Sequence, residues 1–186
     1  MTYYSKVIGT GGYLPEKILT NEELSETVDT SDSWIYERTG IKSRRIAAAD
    51  ETSSSMAEIA ARQAIEMAGI DPETIDLIIV ATGTPDRVYP STGCLLQKRL
   101  GVKHAVAFDI QAACSGSIFG LSIADQYIKS GAAKTVLVVG SEVCSRIVDW
   151  TDRTTCILFG DGAGAVLLTA AEEKGILSTH IHSDGE

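Results

Sequence analysis

Two continuous apolar runs constrain the fold of this chain more than any other feature. They are IDLIIVAT, residues 75–82, and TVLVVG, residues 135–140. Apolar runs of this length without alternation predict strands buried on both faces. Segments with helical spacing lie around them. TSSSMAEIAARQAIEMAG sets Met56, Ile59, Ala60, Ala64, Ile65 and Met67 or Ala68 on one face, and Gly69 stops it. A helix from about Ser91 to Leu100, a strand over 105–110 and the helical segment IFGLSIADQYIKSG follow. AGAVLLTA, 163–170, and GILSTHIH, 175–182, read as a further strand pair. Helices alternating with buried strands predict an α/β protein with a mostly parallel sheet.

The amino-terminal region carries shorter elements. KVIGTGGYLP reads as a short strand entering a glycine turn. Its GTGG lacks the G-x-G-x-x-G spacing of a dinucleotide loop. TNEEL offers Thr20 or Asn21 as a helix cap with acids in the first turn. SDSWIYERTG reads as another short helix, ended by Gly40. RTGIKSRR is the densest basic stretch; it reads as a local phosphate contact or as solvated surface for Lys42, Arg44 and Arg45.

Bulk properties narrow the function classes. A chain of 186 residues with 44% hydrophobic and 22% charged residues can bury a sizeable core, as one domain or as part of a larger one. The net charge of −9 argues against nucleic acid as a partner. MTYYSKVIG has no apolar segment after a basic start, and no run is long enough to span a bilayer. No membrane partner and a cytoplasmic location are therefore expected. Cys94, Cys114, Cys144 and Cys156 show no C-x-x-C spacing and read as reduced thiols. His180 and His182 would share one face of a strand, but no third ligand is evident beside them, so no metal is expected.

The stretch QAACSGS, 111–117, joins an apolar run to a helical segment. It sets Cys114 where the unpaired N–H groups of a helix start would favour a thiolate. Ala112, Ala113, Ser115, Gly116 and Ser117 leave room around the sulfur. Two readings are open on these residues alone: a nucleophile, or a small buried hydrophobe.

The chain resembles the β-ketoacyl-acyl-carrier-protein synthase III family of thiolase-fold condensing enzymes. The resemblance runs through NEEL, VDTSDSWIYERTGIKSRRIA, AIEMAGI, LIIVATGTPD, AFDIQAACSGS, ADQYIKSGA, VVGSE, DRTT and FGDGAGAVLL. It implies a layered α/β/α/β/α fold of two similar halves, with residues 1–186 forming the amino-terminal half. It also implies that Cys114 takes an acyl group from acyl-CoA and that the acyl-enzyme condenses with malonyl-acyl-carrier protein, with loss of carbon dioxide. Coenzyme A then enters as a substrate thioester, and no separate cofactor is needed.

Site residues carry over by position. Trp34 and Arg153 resemble the pair that sandwiches the adenine, Arg38 a phosphate contact and Thr30 an adenine hydrogen bond. Tyr89, Cys144 and Phe159 stand at acyl-pocket positions. Tyr89 replaces a familiar phenylalanine that enters the partner subunit's site. Cys144 replaces a familiar leucine, which would leave room for a slightly longer or branched primer. The resemblance implies a homodimer, with strand 105–110 and the Tyr89 loop at its interface. It further implies a complementing half that supplies a catalytic histidine and asparagine; His104, His180 and His182 do not lie in that motif. A separate polypeptide is the expected source, with a truncated or natural half-length chain as the alternatives. The rival functions are another thiolase-fold acyltransferase, such as a secondary-metabolite starter enzyme or a hydroxymethylglutaryl-CoA synthase, and a non-catalytic CoA-binding half-module.

Overall fold

The computed structural model describes residues 3–185. A five-stranded sheet in the order β1-β7-β6-β4-β5 forms its centre. β4 (Leu77–Ala81) and β6 (Thr135–Val143) are the two predicted apolar runs, and β5 is Val106–Ile110. These three run parallel. β7 (Asp161–Ala171) lies antiparallel between β6 and β1 (Tyr4–Tyr13). The sheet is therefore mixed, with parallel pairing on one side of β6 and antiparallel pairing on the other.

Side chains of β4 alternate between two cores, as the period of a strand requires. Ile78 and Val80 face a cluster built with α3 (Ser53–Ala68) and α4 (Thr92–Leu100), which includes Ala57, Ala60, Ala61, Ala64, Leu96 and Leu100. Leu77 and Ile79 face the opposite cluster, built on α5 (Gly116–Lys129) through Ala124 and Ile128. The small residues of α3 let it lie close against β1. A Cβ on Gly9 would stand 2.0 Å from the Ala64 carbonyl oxygen, and one on Gly11 2.1 Å from that of Ala60. This corrects the expected glycine turn: GTGG continues the strand, and two of its glycines make room for the helix. The helical face is corrected too. Ala57 and Ala61 are buried, whereas Ile59 and Met67 are exposed.

Helix ends follow the predicted signals at Thr20, Gly40 and Gly69, and the structure adds a cap at Ser31. Thr20 caps α1 (Asn21–Ser25) in a reciprocal box with Glu23, and Ser31 caps α2 (Asp32–Thr39). Gly40 and Gly69 take left-handed φ values of 72° and 64° at the ends of α2 and α3. A separate hairpin pairs β2 (Lys17–Thr20) with β3 (Ser43–Ile46). A third apolar cluster joins α1, α2 and α6 (Arg153–Cys156) through Leu24, Ile35, Cys156 and Ile157, with Trp34 and Trp150 at its edge.

Residues 175–182 do not form the expected strand. The Ile176 N–H donates to the Ser5 carbonyl at 2.8 Å, and the Thr179 and Ser122 hydroxyls lie 3.0 Å apart. This extended segment is thus tied to β1 and α5 without a ladder. His180 and His182 are exposed on it and share no strand face. Among the described residues no group of His, Cys, Asp or Glu is placed to hold a metal ion, and no helix is long and apolar enough to cross a membrane.

Candidate functional site

The carboxyl ends of β4, β5 and β6 point the same way, which is where a parallel sheet collects its functional loops. Cys114 follows β5 there, in a one-turn helix over Ala113–Ser115 that leads directly into α5. Ala113 takes a left-handed φ of 45°, an uncommon conformation for a residue with a side chain. Behind the turn, α5 lies hard against the sheet. A Cβ on Gly116 would stand 2.9 Å from Ala81 Cβ, and one on Gly120 2.7 Å from Val138 Cγ1. In this chain Cys114 is exposed and is not packed as a small buried hydrophobe. It opens on a cavity of about 330 Å³ whose walls include Leu14, Ala81, Ser117, Ser141 and Glu142.

Glu142 is a wall residue that the motif reading passes over. Its carboxylate accepts the Gly83 N–H at 2.7 Å and the Thr84 hydroxyl at 2.5 Å. Thr84 Oγ1 in turn accepts the Val143 N–H at 2.8 Å. The loop leaving β4 is thereby fastened to the end of β6, beside Cys114. An acid closing a buried apolar strand, as in TVLVVGSE, is the signal that points to it.

Tyr89, Cys144 and Phe159 do not line this cavity. Tyr89 is 86% exposed and Phe159 37%. Cys144 is half-buried just after β6. Burial, aided by the charges of Glu142, Asp161 and Cys114, pushes its thiol up to about 11. Asp161 holds that corner: its carboxylate accepts the Ala47 N–H at 2.7 Å, the Ser145 N–H at 2.8 Å and the Ser145 hydroxyl at 2.5 Å. Cys156 is fully buried, and burial raises its thiol. Cys94 lies on α4, with its sulfur 3.7 Å from the Ala107 carbonyl oxygen.

A second constellation forms on α2 and α6. The guanidinium carbons of Arg38 and Arg153 lie 4.4 and 4.8 Å from the Trp34 ring centroid. Contacts of this kind are favourable by about 0.5–1 kcal/mol at exposed sites. Arg153 also donates to the Asp29 carbonyl at 3.0 Å, and Arg38 to the Trp34 carbonyl at 3.3 Å. Thr30 is nearby in sequence; its hydroxyl oxygen is buried and has no hydrogen-bond partner. Trp34, Arg38 and Arg153 are therefore gathered in one place, and none of them lines the Cys114 cavity.

The basic stretch divides. Lys42 lies over the Tyr36 ring at 5.4 Å. Arg45 donates to the Pro15 carbonyl at 3.0 Å. Arg44 is 4% exposed and donates only to protein oxygens, so it is neither a phosphate contact nor solvated surface.

The family model for 3-oxoacyl-[acyl-carrier-protein (ACP)] synthase III matches residues 108–185. A beta-ketoacyl-[acyl-carrier-protein] synthase III of Methylococcus capsulatus is 69% identical over 185 residues, which is 100% of this chain and 58% of that protein. The crystal structure of 3-oxoacyl-[acyl-carrier-protein] synthase III from Aquifex aeolicus superposes with a TM-score of 0.89 at 58% identity, over 91% of this chain and 55% of that one. The priming beta-ketosynthase of the R1128 polyketide pathway gives a TM-score of 0.91 at 41% identity, over 94% of this chain and 52% of that one. The chain thus spans somewhat more than half the length of the relatives it matches.

Proposed function

We propose that this chain is the amino-terminal, acyl-accepting portion of a 3-oxoacyl-ACP synthase III, an acyltransferase that initiates fatty acid synthesis; the family model over residues 108–185 and the 69% identity to the Methylococcus capsulatus protein support this reading. The observation that carries this reading is the exposed Cys114 thiol on its strained turn, facing a cavity at the carboxyl ends of the parallel strands. The Cys114 thiolate attacks the carbonyl of acyl-CoA and expels the coenzyme thiol, leaving a thioester on the protein. The Cys114 N–H is one donor to the oxyanion. Malonyl-acyl-carrier protein then loses carbon dioxide, and the carbanion formed attacks the acyl carbonyl and returns the thiolate. The histidine and asparagine that assist this second step belong to a complementing carboxy-terminal portion. The enzyme works in the cytoplasm as a homodimer and needs no cofactor beyond the coenzyme that arrives with the substrate.

In the same reading the adenine of coenzyme A enters between Trp34 and Arg153. Arg38 meets a coenzyme phosphate, and the Thr30 hydroxyl finds in the adenine the partner it lacks. Tyr89 reaches the partner subunit's site, while Cys144 and Phe159, which lie outside the Cys114 cavity in this chain alone, bound the acyl group in the assembled enzyme. A thiol at 144 is smaller than a leucine, so butyryl and isobutyryl primers are accepted beside acetyl; relative acylation rates with the three coenzyme A esters test this.

The decisive experiment is incubation with labelled acetyl-CoA, with the carboxy-terminal portion present, followed by peptide mapping. Label on residues 111–117 that disappears in Cys114→Ala is expected. A peptide without label overturns the proposal.

A further inference from the structure

A continuous chain of hydrogen bonds, buried at Arg44 and Asn21 and reaching the surface at Asp32, joins α2 to α6. Arg44 on β3 donates through Nε and Nη2 to the Ile157 carbonyl, at 3.0 and 2.6 Å, and through Nη1 to Asn21 Oδ1 at 2.7 Å. Asn21 is fully buried at the start of α1. Its Nδ2 donates to Asp32 Oδ1 at 2.8 Å and to the Ile41 carbonyl at 2.7 Å. Asp32 opens α2 two residues before Trp34, and Ile157 caps α6 four residues after Arg153. The two ends of the chain thus sit beside the two halves of the aromatic–guanidinium constellation.

We propose that Arg44, Asn21 and Asp32 are positioning residues that fix α2 and α6, and so the backbones that carry Trp34 and Arg153, at the separation an adenine nucleotide needs once the Arg153 side chain swings off the ring; this rests on the coenzyme A reading above. A buried guanidinium is costly, and this one meets only neutral oxygens directly. The Asn21 amide relays between it and the Asp32 carboxylate, accepting from the cation and donating to the anion. Arginine suits the position because its planar fork reaches two acceptors at fixed angles, which a lysine ammonium on a flexible stem does not. Packing leaves β3 little slack: a Cβ on Gly160 would stand 3.2 Å from Arg44 Cβ and 3.1 Å from the Arg45 carbonyl oxygen. The binding surface is therefore fixed from behind, by residues that touch no ligand.

The test uses Arg44→Lys and the surface change Asp32→Ala, which cuts the chain at its exposed end. Each weakens coenzyme A about tenfold by calorimetry, as loss of one charge-assisted hydrogen bond predicts. Acylation of Cys114 by acetyl-pantetheine, which lacks the nucleotide, stays within about twofold. Asp32→Asn keeps an acceptor oxygen and restores affinity. In a Trp34→Ala background Arg44→Lys has no further effect on coenzyme A. Without ligand, the 5-fluorotryptophan resonance of Trp34 shifts in Arg44→Lys. An unshifted resonance, or equal losses with both acyl donors, overturns the proposal. A shifted resonance with unchanged coenzyme A affinity in both Arg44→Lys and Trp34→Ala instead removes the adenine from this slot and overturns the coenzyme A reading while leaving the spacing role intact.

Discussion

The Glu142 carboxylate accepts the Thr84 hydroxyl at 2.5 Å and so binds the loop after β4 to the end of β6, at the wall of the Cys114 cavity. Replacing Glu142 by Ala leaves both the Gly83 N–H and the Thr84 hydroxyl without this acceptor. A loss of about 2–3 kcal/mol is expected. Urea unfolding measures it, and hydrogen exchange at the Gly83 amide should accelerate in step. Glu142→Gln keeps an acceptor for one donor and should lose less. Unchanged exchange at Gly83 in the alanine variant would refute the anchoring role.

The glycines of β1 give a steric prediction. Gly9→Ala places a methyl 2.0 Å from the Ala64 carbonyl oxygen, in backbone that cannot yield without moving α3. A cost above about 3 kcal/mol is expected. Gly164→Ala, where nothing lies within 4 Å, should stay within about 0.5 kcal/mol. Equal unfolding midpoints for the two variants would contradict the close approach of α3 and β1.

Cys144 predicts a pH dependence. The unfolded chain ionises this thiol near 9, the folded chain only near 11. Between those values the unfolded state holds fewer protons, so the contribution to stability is complete below about pH 9 and falls away as pH rises towards 11. Cys144→Ala should flatten the alkaline limb of the stability curve. At pH 8 iodoacetamide should modify the exposed Cys114 well before Cys144 or the buried Cys156. Mass-mapped alkylation that labels Cys144 first would be inconsistent with this environment.

Arg153 stands 4.8 Å from the Trp34 centroid, whereas a ring stacked between them needs about 7 Å, two van der Waals contacts. Nucleotide entry therefore requires the guanidinium to lift away. Trp34 emission should change on adding coenzyme A and not on adding pantetheine, and Arg153→Ala should remove most of the change. Identical responses to both compounds would count against entry at this point.

The central strands and the helix caps are legible in the sequence because each rests on local chemistry. Uninterrupted Leu, Ile and Val mark β4 and β6, and Thr20, Gly40 and Gly69 act within one turn of their own positions. What depends on distant neighbours is not legible. Gly9 and Gly11 serve a helix some fifty residues away, so their spacing suggests a turn that does not exist. Arg44 reads as a phosphate contact or a surface cation until the Ile157 carbonyl is brought to it from far along the chain. GILSTHIH has strand-like composition, but the Ser5 carbonyl offers one hydrogen bond rather than a ladder. Cys114 stands out by its small neighbours, whereas its exposure and the Glu142 wall emerge only when three strand ends meet.

The left-handed Ala113 has a consequence for how this turn ages under mutation. Glycine would adopt that backbone freely, yet a methyl sits there, so the bend is held by what surrounds it rather than by its own preference. Ala113→Gly would relax the bend and also loosen it, adding freedom one residue ahead of the sulfur. The helix that follows is seated on the sheet through Gly116 and Gly120, where a single added methyl would meet Ala81 or Val138 and push the helix, and the turn ahead of it, off its bed.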